Sequence, residues 1–177
     1  MSEMDTRRIT DAIARMLIRD RHDGVLREFK LRVPRRVDLI ALSKNGHISI
    51  VEIKSSPQDF LSDKKWTEYI EWADKFYFGV GDDFPLELLP DAKSCGIIKT
   101  DGFDCHEFQP APFKKLNGLR RGTLVREIAK VSMRRVEYNC NDLLKTPSSA
   151  SLDLLKSPNL KKRGPPESDP VFDIFSV

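Results

Sequence analysis

With 177 residues, 40% of them hydrophobic and 32% charged, the chain suffices for one core of ordinary size but not for two comfortable domains. No apolar run approaches the roughly 18 residues a membrane helix requires, no apolar segment of an export signal follows the polar start MSEMDTRRIT, and the three cysteines, Cys95, Cys105 and Cys140, are too scattered for a disulfide framework. A membrane span and a disulfide-stapled module are set aside, the cytoplasm is the expected compartment, and a net charge of +3 permits nucleic acid without requiring it.

In chain order, DTRRITDAIARMLIRD places Ile9, Ala12, Ile13, Met16 and Leu17 on one stripe of an amphipathic helix that Asp5 or Thr6 can cap. After a turn at Asp23 and Gly24, VLREFKLRV, RRVDLIAL and HISIVEIK read as three strands with no helix between them, an antiparallel meander. DKKWTEYIEW sets Trp66, Tyr69 and Ile70 at helical spacing, and KFYFGV and CGIIKT suit buried strands. A further strand around FDCHEF and a helix through Leu124, Ile128 and Val131 complete an α/β domain with an αβββαβ core and a mixed sheet over residues 1–139. Residues 140–177 hold five of the eleven prolines and no sustained periodicity, so a largely disordered tail is expected there.

The third strand carries a chemical anomaly. Side chains alternate along a strand, so Glu52 and Lys54 project from one face while Val51 and Ile53 enter the core from the other. Whether Asp38 joins them depends on the turn. A two-residue loop at Asn45 and Gly46 would set Asp38 opposite Ile53. A three-residue loop, Lys44 to Gly46 with Gly46 left-handed, would pair Ser43 with His47 and set Asp38 opposite Glu52. Two carboxylates brought together in a sheet repel, and the arrangement is tolerable when a cation sits between them. A hard divalent ion such as Mg²⁺ suits such oxygens, with Lys54 beside it to orient a water or stabilise a phosphoryl group.

Asp38, followed after a hairpin by Glu52-Ile53-Lys54 in this element order, resembles the PD-(D/E)XK nuclease superfamily, with Arg35-Arg36-Val37-Asp38 in place of Pro-Asp. The longer run RRVDLIALSKNGHISIVEIKSSPQDFLSDKKWTEYIEWADKFYFGV is similar to the MmcB-like family of bacterial DNA repair proteins, and the likeness extends through DDFPLELLPDAKSCGIIKTDGF to LRRGTLVREIAKVSMRR. The resemblance implies a restriction-endonuclease-like fold and a role in DNA repair. It implies Asp38, Glu52 and the carbonyl of Ile53 as ligands of Mg²⁺ or Mn²⁺, with Asp38, Glu52 and Lys54 as the catalytic set. Glu28 is a candidate further acid. Lys65 and Tyr69 stand at the spacing of a QxxxY motif that many relatives carry, with a cation in place of the amide. Two functions follow: a metal-dependent endonuclease acting on damaged or branched DNA, and the alternative of a catalytically silent DNA-binding or scaffold protein on the same fold.

Arg35, Arg36, Lys64 and Lys65 flank the acids in sequence and are candidate contacts to DNA phosphates. In the tail, Val171-Phe172-Asp173-Ile174-Phe175 resembles the short peptide by which bacterial repair proteins hook onto the DNA sliding clamp, as does Ser151-Leu152-Asp153-Leu154-Leu155. Phe172, Ile174 and Phe175 are thus candidate anchors for the clamp or the repair polymerase machinery, which would bring the protein to the nucleoid. His22, His47 and His106 have no ligand spacing, Gly79-Val80-Gly81 lacks the rest of a phosphate loop, and no Ser/His/Asp constellation stands out.

Overall fold

The computed structural model describes residues 5–21, 23–63 and 65–145. The chain divides into two compact units, residues 1–134 and 135–177, and the sheet and all packing described below belong to the first. Helix α1 (Thr6–Arg21) buries the predicted stripe, Ile9, Ala12, Ile13, Met16 and Leu17, together with Ala14. Asp5 caps it: its Oδ1 accepts the Arg7 N–H at 3.2 Å and its carbonyl accepts those of Arg8 and Ile9.

Three strands follow as an antiparallel meander, β1 (Gly24–Lys30), β2 (Arg36–Leu42) and β3 (Ile48–Lys54). β4 (Lys75–Gly81) and β5 (Gly96–Thr100) then add in parallel, and β6 (Cys105–Gln109) closes the far edge antiparallel. Spatial order equals sequence order, β1 to β6. The result is an α/β fold on a mixed six-stranded sheet, the restriction-endonuclease-like core that the resemblance implies. A long helix, α4 (Gly118–Lys145), follows the sheet. Among the described residues, no helix is long and apolar enough to cross a membrane.

One element differs from expectation. The helix predicted over DKKWTEYIEW is only the short α3 (Thr67–Ile70), and a further short helix, α2 (Pro57–Ser62), precedes it. Ser56 Oγ accepts the Asp59 N–H at 3.1 Å and Pro57 occupies the first turn, where its missing donor costs nothing. Asp63, in extended conformation, stops α2 before the aromatic run begins. Ser-Pro was the N-terminal mark that hydrophobic periodicity alone passes over.

Alternation along β3 divides the core. Val51 and Ile53 meet α1 through Ile9, Ile13 and Leu17, with Leu39, Tyr77 and Ile98. α1 lies so close to β4 that a Cβ on Gly79 would stand 2.4 Å from Ile13 Cδ1 and 2.8 Å from Ile53 Cδ1, so any larger residue would have to push these side chains aside. Ile48 and Ile50 face the other way, into a cluster with Phe76, Phe78, Tyr69 and Leu124, on which Trp66 packs. Trp66 lies 5.4 Å from Phe78 and 6.0 Å from Phe76 between ring centroids, so the aromatic run does bind the sheet.

That second face is bolted by one buried carboxylate. The Asp74 side chain has no solvent exposure, accepts the N–H of Ile48 (2.8 Å) and of Leu116 (2.9 Å), and holds the Arg121 guanidinium through both oxygens at 2.7 and 2.6 Å. Burial pushes its pKa up, but Arg121 and the two N–H groups outweigh that and hold it below the ordinary carboxylate range. β3, the β4 entry and the start of α4 thereby share one anion. Asp74→Ala, which strands two buried N–H groups and a guanidinium, is expected to cost about 3–5 kcal/mol, read as a lower urea midpoint with an unchanged m value.

Candidate functional site

The site is set by a turn. Ser43 N–H donates to the His47 carbonyl at 3.0 Å and Gly46 N–H to the Ser43 carbonyl at 2.9 Å, leaving Lys44 to Gly46 as a three-residue loop with Gly46 left-handed at φ 75°. Above it the ladder reads Leu42↔Ile48, Ala41↔Ser49, Ile40↔Ile50 and Leu39↔Val51, so the next step sets Asp38 opposite Glu52. The structure therefore adopts the odd register and not the two-residue alternative.

At that step the side chains take over from the ladder. Asp38 Oδ2 accepts the Ile53 N–H at 2.8 Å, and the Asp38 N–H in turn lowers the Glu52 pKa by hydrogen bonding to its carboxyl. Glu52 and Lys54 are each only 4% exposed, while Asp38 is half-buried. Burial, and after it the neighbouring Asp38 charge, push the Glu52 carboxyl up to about 8. Burial also raises Asp38, against the opposing hydrogen bond from Ile53.

Glu52 Oε1 is buried with no hydrogen-bond partner. An orphaned acceptor facing a second carboxylate is what a cation would satisfy, and two carboxylate oxygens match the hard-donor preference of Mg²⁺ or Mn²⁺. Among the described residues no three His, Cys, Asp or Glu side chains converge as a ready metal cluster, so Asp38 and Glu52 would have to be joined by backbone or water oxygens.

Lys54 ends the constellation. Its ammonium donates to Asp63 Oδ2 at 2.8 Å and lies 3.8 Å from Asp59 Oδ1. Asp63 Oδ1 accepts the Lys65 N–H at 3.0 Å, and although burial pushes the Asp63 carboxyl up, Lys54 and that N–H more than offset it. Sequence reasoning missed both acids. The capping pattern of Ser56-Pro57 could have found them, because a helix started there turns Asp59 and Asp63 back toward the strand that precedes it.

The other predicted residues divide. Tyr69 is buried in the aromatic cluster, and burial first and the Glu52 charge second push its hydroxyl up to about 12, which places it within electrostatic reach of the acids. Glu28 stands opposite Asp38 in the β1–β2 register, at the step where that ladder skips a pair, and is left-handed at φ 52°. Its negative charge raises the Asp38 pKa, and its carboxylate holds Arg36 at 2.5 Å. Arg35 donates to Glu68 at 3.0 Å, and Lys65 is exposed. Lys64, His22 and the tail candidates Phe172, Ile174 and Phe175 lie outside the described residues.

Comparison with known proteins adds two findings. A family model described as DNA repair protein MmcB-like matches residues 2–142. The solved structure of a protein of unknown function from Silicibacter pomeroyi is similar at 32% identity and a TM-score of 0.71, covering 84% of this chain and 97% of that one. No curated protein matches the chain.

The Glu52 shift has a testable sign. Its carboxyl binds a proton more tightly in the native state than its ordinary value of 4.5 implies, so its contribution to stability is fully present below about 4.5 and is lost as pH rises through about 8. Glu52→Gln, a stand-in for the protonated acid, is expected to raise the melting temperature relative to the parent protein at about pH 8 and to leave it near the parent at about pH 4. Thermal unfolding of both proteins across that range checks it.

Proposed function

The chain belongs to the MmcB-like family of DNA repair proteins, and from that premise we propose that the Asp38–Glu52 notch is the metal-dependent phosphodiesterase site of an endonuclease acting on damaged or branched DNA. The observation that carries the reading is the buried, unpartnered Glu52 oxygen facing Asp38 at the end of β3. Asp38, Glu52 and the Ile53 carbonyl would hold Mg²⁺ or Mn²⁺, which would supply Lewis acidity and positive charge beside the oxygens of a phosphodiester.

The chain's own groups set the conditions for that chemistry. Glu52 must release its proton to become a ligand, so burial and the Asp38 charge make occupancy of the site depend on pH up to about 8. The Asp38–Ile53 hydrogen bond fixes the orientation of one carboxylate against the backbone of the other's strand. Lys54, held by Asp63, presents an ammonium where charge builds on a phosphoryl oxygen, and Asp63 keeps that long side chain from wandering. Arg35 and Arg36, now paired with Glu68 and Glu28, and the exposed Lys65 would meet the backbone on either side.

A second reading is favoured by the same Lys54–Asp63 ion pair. An ammonium already satisfied at 2.8 Å by a carboxylate suits a structural role, and with it a DNA-binding scaffold whose cleavage activity is silent. Purified full-length protein on nicked, flapped, forked and abasic DNAs with Mg²⁺ or Mn²⁺ separates the two. The nuclease reading expects cleavage of at least one substrate. It also expects Asp38→Asn and Lys54→Ala each to lower the rate by about a hundredfold or more while DNA affinity stays within a few fold. Absence of cleavage, with both variants still active in DNA repair, establishes the scaffold.

A further inference from the structure

On the sheet face that carries Glu52 and Lys54, but at the opposite end of β3, lies an open cleft of about 600 Å³ between the α3–β4 connection and the first turn of α4. Its location follows from the Asp74 bolt. Leu116 lines the cleft and donates to Asp74, which accepts the N–H of Ile48, the first residue of β3. Ile48 and Ile50 share side-chain parity with Glu52 and Lys54, so the face is common to both. Four residues of strand separate Ile48 from Glu52, about 13 Å.

The cleft is strongly basic. Arg32, Lys114, Lys115 and Arg120 line it against one carboxylate, Glu71. Lys114 and Arg120 reach Glu71 at 3.0 and 3.4 Å, and the contact with Lys114 first, then Arg120, holds the Glu71 carboxyl below its ordinary range. Arg120 also stacks on Trp72, 4.8 Å from guanidinium carbon to ring centroid, and donates to the Glu71 carbonyl, which fixes its direction. Among the described residues Arg32 and Lys115 have no acidic partner. The Leu31–Arg35 loop, closed by the Leu31 N–H on the Arg35 carbonyl at 2.9 Å, carries Arg32 and leads directly into β2 and Asp38.

We propose that this cleft is a second phosphate-binding subsite, which holds the DNA backbone about four nucleotides from the notch at 3.4 Å per nucleotide along one strand. The inference rests on DNA being the partner of the notch and adds where the rest of the DNA lies. Charge complementarity selects the occupant, because an open trough with four cations to one carboxylate suits a polyanion running through it. Glu71 offers Lys114 and Arg120 the kind of oxygen anion that a phosphodiester would present in its place.

Fluorescence anisotropy of full-length protein with a labelled 20-base-pair duplex in EDTA, titrated with salt, tests the subsite apart from cleavage. Arg32→Ala with Lys115→Ala is expected to weaken binding about tenfold at 0.1 M salt and to lower the slope of log K against log salt by about two. Glu71→Gln is expected to tighten binding severalfold, a gain that misfolding would not produce. Lys93→Ala, exposed and outside the cleft, should change neither. A parent protein that binds DNA with the same slope as the double variant overturns the subsite and leaves the notch untouched. A parent protein with no salt-dependent DNA binding overturns both. Loss of slope in the double variant, from a protein that never cleaves, supports the subsite and leaves only the scaffold reading of the notch.

Discussion

The register of one hairpin decides what the molecule can do. Gly46, left-handed at φ 75°, gives the β2–β3 turn three residues instead of two. A strand has period two, so one residue fewer would turn Asp38 from Glu52 toward Ile53 and set a carboxylate against an apolar face. With the register as it stands, Ile48 and Ile50 enter one core, Val51 and Ile53 the other, and the acids meet where the β2–β3 ladder ends. Fold and site are thus consequences of the same alternation.

Placing two carboxylates together in a buried strand runs against folding, and the structure absorbs the cost in several ways. Asp38 accepts a backbone N–H that would otherwise seek a ladder partner, Lys54 contributes a nearby positive charge, and Glu52 retains a proton through neutral pH. One oxygen of Glu52 is left over. A purely structural site would be expected to close that last gap, since an unsatisfied buried acceptor costs about 1–3 kcal/mol. β1 shows a matching irregularity: Glu28 adopts a left-handed backbone opposite Asp38, in a region where side chains other than glycine are strained by about 1–3 kcal/mol. Strain and unsatisfied polarity fall on the same rung of the sheet.

The two ends of β3 divide the electrostatic work. At its C-terminal end acids dominate and Lys54 is enclosed by Asp63 and Asp59. At its N-terminal end Asp74 is consumed by Arg121 and backbone donors, and the surrounding surface is left with Arg32, Lys114, Lys115 and Arg120. An acidic notch attracts a divalent cation and repels a phosphate, so a phosphodiester needs positive surface elsewhere on the same face to be held against it. Tyr69 of α3 packs onto Phe76, and Trp66 just before it onto Phe76 and Phe78.

Much of this was legible in the sequence alone. The spacing of Ile9, Ala12, Ile13, Met16 and Leu17 determined α1 and its buried face, period-two patterning determined the meander, and the run around Asp38 and Glu52-Ile53-Lys54 identified the family, because these depend on near neighbours in the chain. The hairpin stood between two registers, and closure of the Ser43–His47 pair selected one. Tertiary structure alone decided the rest. Asp63 and Asp59 meet Lys54 only because Ser56 and Pro57 start a helix that folds back over β3. Glu28 reaches Asp38 only through strand pairing. Glu71, Trp72 and Lys115 line one cleft only because Asp74 ties the start of β3 and the 116–121 segment to a single carboxylate. Local periodicity records which face of an element is apolar, but long-range polar contacts depend on how the elements are brought together, and no short window of sequence contains that information.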